Sequence, residues 1–257
     1  MVNVPEVELG RGPLKVIIVH GWMAGRRLFD PMHAYLDLEN FSYVFMDCRG
    51  YGDRIDSHGP FSVRTIAEDV LELADRLGWT RFSVLGHSMA GMSAQWLLHI
   101  APERIQCAVL LSTVPASGSK ITEERRNLLV SAMAAPHVRR ALIDINTGHR
   151  QSIAWLNHTL AVSLDTTCPD ALTGYLQSWT HDDMEKEIRG ITAPVLVIVG
   201  ELDPGATLEV MTQKVLPLLP NSHCKLLPGV GHYAMREDPA ALVKAVEAFI
   251  TYVTTRG

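Results

Sequence analysis

Short apolar runs recur along the chain, each closed by a glycine or a small polar residue, and amphipathic stretches lie between them. Val16-Ile17-Ile18-Val19 ends in His20-Gly21, Tyr43-Val44-Phe45-Met46 in Asp47, and Phe82-Ser83-Val84-Leu85 in Gly86. Ala108-Val109-Leu110-Leu111 ends in Ser112, and Val195-Leu196-Val197-Ile198-Val199 in Gly200. Runs of this length, β-branched-rich and apolar on both sides of the pleat, predict parallel strands covered on both faces. Helices are legible between them. Ser62 is placed to cap one that carries Ile66, Val70, Leu73 and Leu77 on a single face, and Gly78 ends it. Residues 239–252 predict a closing helix with Leu242, Val243, Val246, Phe249 and Ile250 on its apolar side. The alternation predicts an α/β fold: an open, mostly parallel sheet with helices on both faces and right-handed crossovers.

One stretch breaks the rhythm. Between 117 and 190 there are helical patterns only, at 123–135, 138–145, 150–161 and 170–179. An all-helical insertion between two strands predicts a cap over the strands' carboxyl ends, where open α/β sheets bind ligands. Residues 1–116 and 191–257 are then the core. The start is short, with room before the Val16 run for one strand rather than a long hairpin. No internal repeat or low-complexity tract interrupts this organisation.

Composition narrows the class. Charged residues at 20% against 47% hydrophobic argue against disorder in a chain of 257 residues. The formal net charge of −5 excludes a basic nucleic-acid footprint. Cys48, Cys107, Cys168 and Cys224 lie far apart with no C-x-x-C pair, which disfavours a zinc ribbon or a disulfide scaffold. No apolar run approaches the ~18 residues of a membrane span, and Glu6 and Glu8 stand where a signal peptide is basic and then apolar. The expectation is a soluble, cytoplasmic protein, monomer or homodimer.

The chemistry is sharpest at Leu85-Gly86-His87-Ser88-Met89-Ala90-Gly91, which follows a strand and opens a helix. A serine between small residues at such a turn is a nucleophile elbow, exposing its hydroxyl at the sheet edge. The strict pattern has glycine where Ala90 stands. A serine needs a base, and His232, in Gly229-Val230-Gly231-His232, lies on a loop after the last predicted strand. Asp203 follows the Val195 run, 115 residues after Ser88 and 29 before His232. Ser…Asp…His is the chain order of the α/β-hydrolase triad. Glu201, Asp182 and Asp183 compete for the acid role, and position after the strand selects Asp203. An oxyanion site needs two backbone N–H groups. Met89, at a helix N-terminus, supplies one; the turn His20-Gly21-Trp22-Met23 supplies the other, from Trp22 or else Met23. Asp47 precedes the Arg49-Gly50 turn and reads as a structural carboxylate.

With these residues in view, the chain resembles the α/β-hydrolase superfamily along nearly its whole length, most closely its capped serine esterases and carbon–carbon-bond hydrolases. His20-Gly21-Trp22, Asp47-Cys48-Arg49-Gly50-Tyr51-Gly52, Gly86-His87-Ser88-Met89-Ala90-Gly91, Gly200-Glu201-Leu202-Asp203 and Gly231-His232 carry the resemblance, in order. It implies Ser88, Asp203 and His232 as triad and Trp22 and Met89 as oxyanion positions. Two departures stand out: a trimmed N-terminal hairpin, and Asp53-Arg54 where a small residue and serine are usual. That loop is expected to border the pocket, where its charge would bear on substrate choice.

The implied activity is a serine hydrolase cleaving a small or medium, mostly apolar carboxylic ester, lactone or thioester. Its partner is a small-molecule substrate, and no metal or organic cofactor is implied. Carbon–carbon hydrolysis of a diketone-like substrate is the first alternative. A lyase, a cofactor-free oxygenase and a ligand receptor are others, since a fold does not fix a reaction. Epoxide and haloalkane hydrolases resemble this fold but place a carboxylate where Ser88 stands. Trp155, Tyr175 and Trp179 of the insertion, with Met23 and Trp22, are candidates for an apolar pocket; core packing competes for the three in the insertion. His137, His149, His158 and His181 lack i,i+4 pairing and read as solvated surface rather than metal ligands. His20 and His87 read as packed within their turns.

Overall fold

The computed structural model describes residues 6–256. Strands β1 (Glu6–Leu9), β2 (Leu14–Val19), β3 (Phe41–Met46), β4 (Phe82–His87), β5 (Ile105–Leu111), β6 (Val195–Gly200) and β7 (Ser222–Leu227) form one sheet in the order β1-β3-β2-β4-β5-β6-β7. All pairings are parallel except that of β1, which runs antiparallel to β3. Among the described residues one strand precedes β2, and it pairs with β3 rather than folding back as a hairpin on β2.

The period of two along each strand divides the core. Ile17, Val19, Val84 and Val197 face α1 (Val63–Arg76) and α2 (Met89–Ile100). Val16, Ile18, Leu85 and Ile198 face the opposite layer. The strands run longer than the apolar runs because β4 continues through Gly86 and His87 into the elbow. β7 begins three residues before the Lys225 run; it is an edge strand, and its partly exposed Ser222, His223 and Lys225 hide it from an apolar search.

Local signals end the helices as expected. Ser62 Oγ accepts the Thr65 N–H at 3.1 Å, and Gly78 takes φ +67° after α1. Between β5 and β6 lie α3 (Glu123–Ala134), α4 (Pro136–Asn146), α5 (Ile153–Asp165), α6 (Pro169–His181) and the short α7 (Glu185–Ile188). The first four match the helical patterns of the insertion. Pro136 and Pro169 sit at first helical positions, where a missing N–H costs nothing. α5 starts later than the pattern suggests, because Ser152 caps it at Trp155 N. α7 had no signal of its own, being four residues around the buried Ile188. After β6 come α8 (Leu208–Lys214), then β7, α9 (Ala234–Glu237) and α10 (Pro239–Arg256). α10 buries Leu242, Val243, Val246 and Ile250 on the second face. No helix among the described residues is long and apolar enough to cross a membrane.

The inserted helices are fastened to the loop after β2. Ser163 Oγ donates to Met23 O at 2.6 Å, Thr166 Oγ1 to Ala24 O at 2.8 Å, and Trp22 Nε1 to Leu172 O at 2.9 Å. The Gly50–Gly52 turn holds them too, with Gly52 N donating to Thr166 O at 2.8 Å and Cys168 N to Gly50 O at 3.0 Å.

Candidate active site

β4 delivers Ser88 at a backbone conformation of φ 55° and ψ −115°, which an L-residue enters at a cost of about 1–3 kcal/mol. The turn is over-determined. Ser88 N donates to Leu111 O at 2.9 Å, and Ser88 O accepts from Gly91 N and Val114 N at 2.9 and 3.1 Å. A Cβ placed on Gly86 would collide with the Ala90 carbonyl, so strand and helix meet here with no room for a side chain. Ala90, fully buried, fits where the strict pattern has glycine. Gly86→Ala is expected to destabilise the fold by about 2–3 kcal/mol through overpacking, read as a melting temperature lower by about 5–10 °C in calorimetry.

Asp203 lies three residues past the end of β6, and His232 on the loop between β7 and α9. His232 Nδ1 donates to Asp203 Oδ2 at 2.7 Å, while Asp203 Oδ1 accepts from Gly205 N and Ala206 N at 2.9 and 3.0 Å. Burial alone pushes the Asp203 carboxyl up, but the His232 charge and hydrogen bond and the two amides outweigh it and hold it at about 2. Burial pulls His232 down; Asp203, by charge and hydrogen bond, more than offsets this and raises the imidazole. With Nδ1 protonated, Nε2 is left with its lone pair. Among the described residues no hydrogen bond joins Ser88 Oγ to His232; such contacts often tighten only when substrate binds.

The elbow and the histidine loop are joined by His87. Its Nε2 pairs with the His232 carbonyl at 2.9 Å and must carry the proton, and burial keeps the ring well below the usual imidazole range. Gly21 packs against the elbow, since a Cβ there would stand 2.9 Å from Ser88 Cβ. The Trp22–Met23 turn is thus beside the serine, and Met89 opens α2 on its other side. Neither the Trp22 nor the Met89 N–H has a protein acceptor among the described residues.

Sequence reasoning missed the braces of this loop. Asn146, last residue of α4, accepts the His232 N–H on its carbonyl at 2.8 Å. Glu237 accepts the Gly231 and Tyr233 amides at 3.0 and 2.9 Å. Glu237, five residues past the histidine at a helix end, was findable; Asn146 reaches the loop only through tertiary folding.

A cavity of about 700 Å³ opens above the Asp203–His232 pair. Ser112 and Thr113 lie at its base, Arg125, Leu129 and Leu142 of α3 and α4 line its wall, and Trp22, Met23 and Trp179 border it. Two expected pocket residues are elsewhere. Tyr175, one turn before Trp179, is fully buried over the Gly50 turn, with ring centroids 5.6 Å from Tyr51 and 5.7 Å from Phe61; by that turn α6 has left the cavity. Trp155 packs edge-on to Tyr233 at 6.4 Å, one side chain behind the lining. Asp53-Arg54 does not border the cavity either. Arg26 pairs with both Asp47 and Asp53, and the buried Arg54 pairs with Asp69 at 3.0 Å and donates to Asp47 O at 3.2 Å. Those charges hold the turn on which the insertion rests. His137, His149, His158 and His181 are exposed, and among the described residues no cluster of three or more His, Cys, Asp or Glu is placed to hold a metal.

Residues 15–239 match the family model described as alpha/beta hydrolase fold. The chain is 25% identical over 258 residues to pimeloyl-(acyl-carrier protein) methyl ester esterase of Klebsiella pneumoniae, covering 95% of this chain and 96% of that one. It is 24% identical over 219 residues to 3-oxoadipate enol-lactonase 2 of Acinetobacter baylyi, covering 82% and 79%. Among solved structures, an esterase from Exiguobacterium antarcticum superposes with TM-score 0.85 at 18% identity, covering 96% of this chain and 95% of that one. The enol-lactonase from Burkholderia xenovorans superposes with TM-score 0.82 at 22% identity, covering 96% of both. These structural likenesses speak to the fold.

Proposed function

This chain belongs to the alpha/beta hydrolase fold family, and from that premise we propose that it is a serine hydrolase cleaving a carboxylic ester, lactone or thioester through an acyl-enzyme on Ser88. The observation that carries the reading is the Asp203–His232 hydrogen bond of 2.7 Å, facing a cavity, with a strained, half-buried serine turn nearby. The ester and lactone activities named for its relatives point the same way.

In this mechanism His232 Nε2 takes the Ser88 proton as Oγ attacks the substrate carbonyl. The Trp22 and Met89 amides hold the oxyanion, each contributing about 3 kcal/mol to the barrier. His232 then protonates the leaving group, activates a water against the acyl-serine, and returns the proton to Ser88. Asp203, charged throughout, orients the ring and stabilises its cation. Helices α3, α4 and α6 wall the cavity and size it for a small or medium substrate with a mostly apolar body.

The test is hydrolysis of a chain-length series of para-nitrophenyl esters between about pH 5 and 9. The base must be neutral to act, so activity is low below the His232 pKa and rises through it. Because Asp203 raises that pKa, the midpoint of kcat/KM is expected above the ordinary imidazole value of 6.5. The preferred chain length sizes the acyl pocket. A rate that does not vary over this range overturns His232 as the base, and release of no nitrophenol from any ester overturns the esterase reading.

A further inference from the structure

The cavity wall carries a cation that the fold leaves without an anion. Arg125 stands in the first turn of α3, half-buried, with its backbone N–H on Thr122 Oγ1 at 3.2 Å. Its guanidinium makes one long hydrogen bond, Nη2 to Asn146 Oδ1 at 3.4 Å, and among the described residues no carboxylate oxygen lies within 4.0 Å. The placement is unfavourable twice over. Burial disfavours the charged guanidinium and lowers its pKa, and the N-terminal end of a helix dipole repels a cation.

The acids near it are committed elsewhere. Asp203 is bonded to His232 and to two amides. Glu185, which also lines the cavity, pairs with Arg189. Among the described residues Trp179 Nε1 and Ser112 Oγ have no partner, but both atoms are closed off from the cavity, so the charged side chains of the lining decide what it attracts. Lys120 and Lys214 lie exposed on the same lining. A chain of net charge −5 therefore presents a locally cationic cavity, which draws an anion.

We propose that Arg125 is the anion-binding residue of the substrate cavity, so that the ester or lactone cleaved at Ser88 carries a second, ionised carboxylate away from its scissile carbonyl. The inference rests on the hydrolase reading above. The planar guanidinium fork suits a carboxylate, to whose two oxygens it donates two parallel hydrogen bonds. Trp22, Met23, Leu129 and Leu142 supply the apolar walls between the two ends.

Two substrate pairs test this on the full chain. In the first, the mono-para-nitrophenyl ester of glutaric acid is compared with para-nitrophenyl pentanoate, placing the carboxylate on the acyl side. In the second, para-acetoxybenzoate is compared with its methyl ester, placing it on the leaving group. The wild type is expected to favour the charged member of one pair in kcat/KM. Arg125→Gln is expected to lower that charged-to-neutral ratio by about 30-fold, the worth of a charge-assisted hydrogen bond, and Arg125→Lys to recover part of it. An unchanged ratio in both pairs overturns the proposal and leaves Arg125 as a brace of the histidine loop through Asn146. If no ester is turned over, the hydrolase reading fails separately, and calorimetric titration with glutarate decides the anion site. Binding to wild type that Arg125→Gln abolishes supports it; no binding to wild type overturns it.

Discussion

Ser88→Ala is expected to lower kcat for para-nitrophenyl esters by about 10⁴- to 10⁶-fold, with KM changed little. The size follows from what alanine removes. The Oγ nucleophile goes, and with it the acyl-enzyme, so water must attack the bound ester with only the oxyanion amides to help. What alanine keeps is equally important. It retains a Cβ, so the turn at φ 55° is as strained as before, and the three backbone hydrogen bonds that impose it do not involve the hydroxyl. The variant should therefore fold and melt like the wild type, making the rate loss chemical rather than structural. A burst of nitrophenol equal to one per enzyme, present with wild type and absent with the variant, checks the covalent step directly. Equal steady-state rates in the two proteins overturn Ser88 as nucleophile.

Much of this site was readable in the sequence because its parts are local. A strand ending in Gly86-His87-Ser88 and opening directly into a helix is a short-range statement, and so is an aspartate three residues past the Val195 run. The chain order then ties the parts together. What escaped is what approaches through space. Arg125 and Asn146 sit on inserted helices whose apolar periodicity says which side is buried but not which end overhangs the serine. Tyr175 and Trp179 show the limit well. They are one turn apart on α6 and share a face by spacing, yet Trp179 lines the cavity while Tyr175 packs on Tyr51, a difference that spacing along one helix cannot reveal. Asp53 and Arg54 stand for a second kind of silence. Their charges suggested a substrate contact, and their partners Arg26 and Asp69, 27 residues before one and 15 after the other, make them part of the foundation.

Asp203→Asn is expected to cost about 10⁴-fold in kcat while leaving the site in place. Asparagine can keep its oxygen on the Gly205 and Ala206 amides, so the loop after β6 has no reason to move. Its NH₂ then faces His232 Nδ1 and donates to it. That bond requires Nδ1 to be unprotonated and leaves the proton on Nε2, where the base needs a lone pair. The variant also loses the charge that raises the imidazole, so the acid limb of its residual activity should move to lower pH than in wild type. A merely structural carboxylate predicts a fall in stability and no such shift. Glu201 provides the control. It lies two residues away, exposed, with its carboxylate on the Gly229 amide at 2.7 Å and no contact with the imidazole. Glu201→Gln is expected to stay within about threefold of wild type, as a surface change away from the site. If instead Asp203→Asn retains activity within about tenfold and Glu201→Gln loses it, the acid is Glu201, and the geometry around His232 must rearrange during turnover.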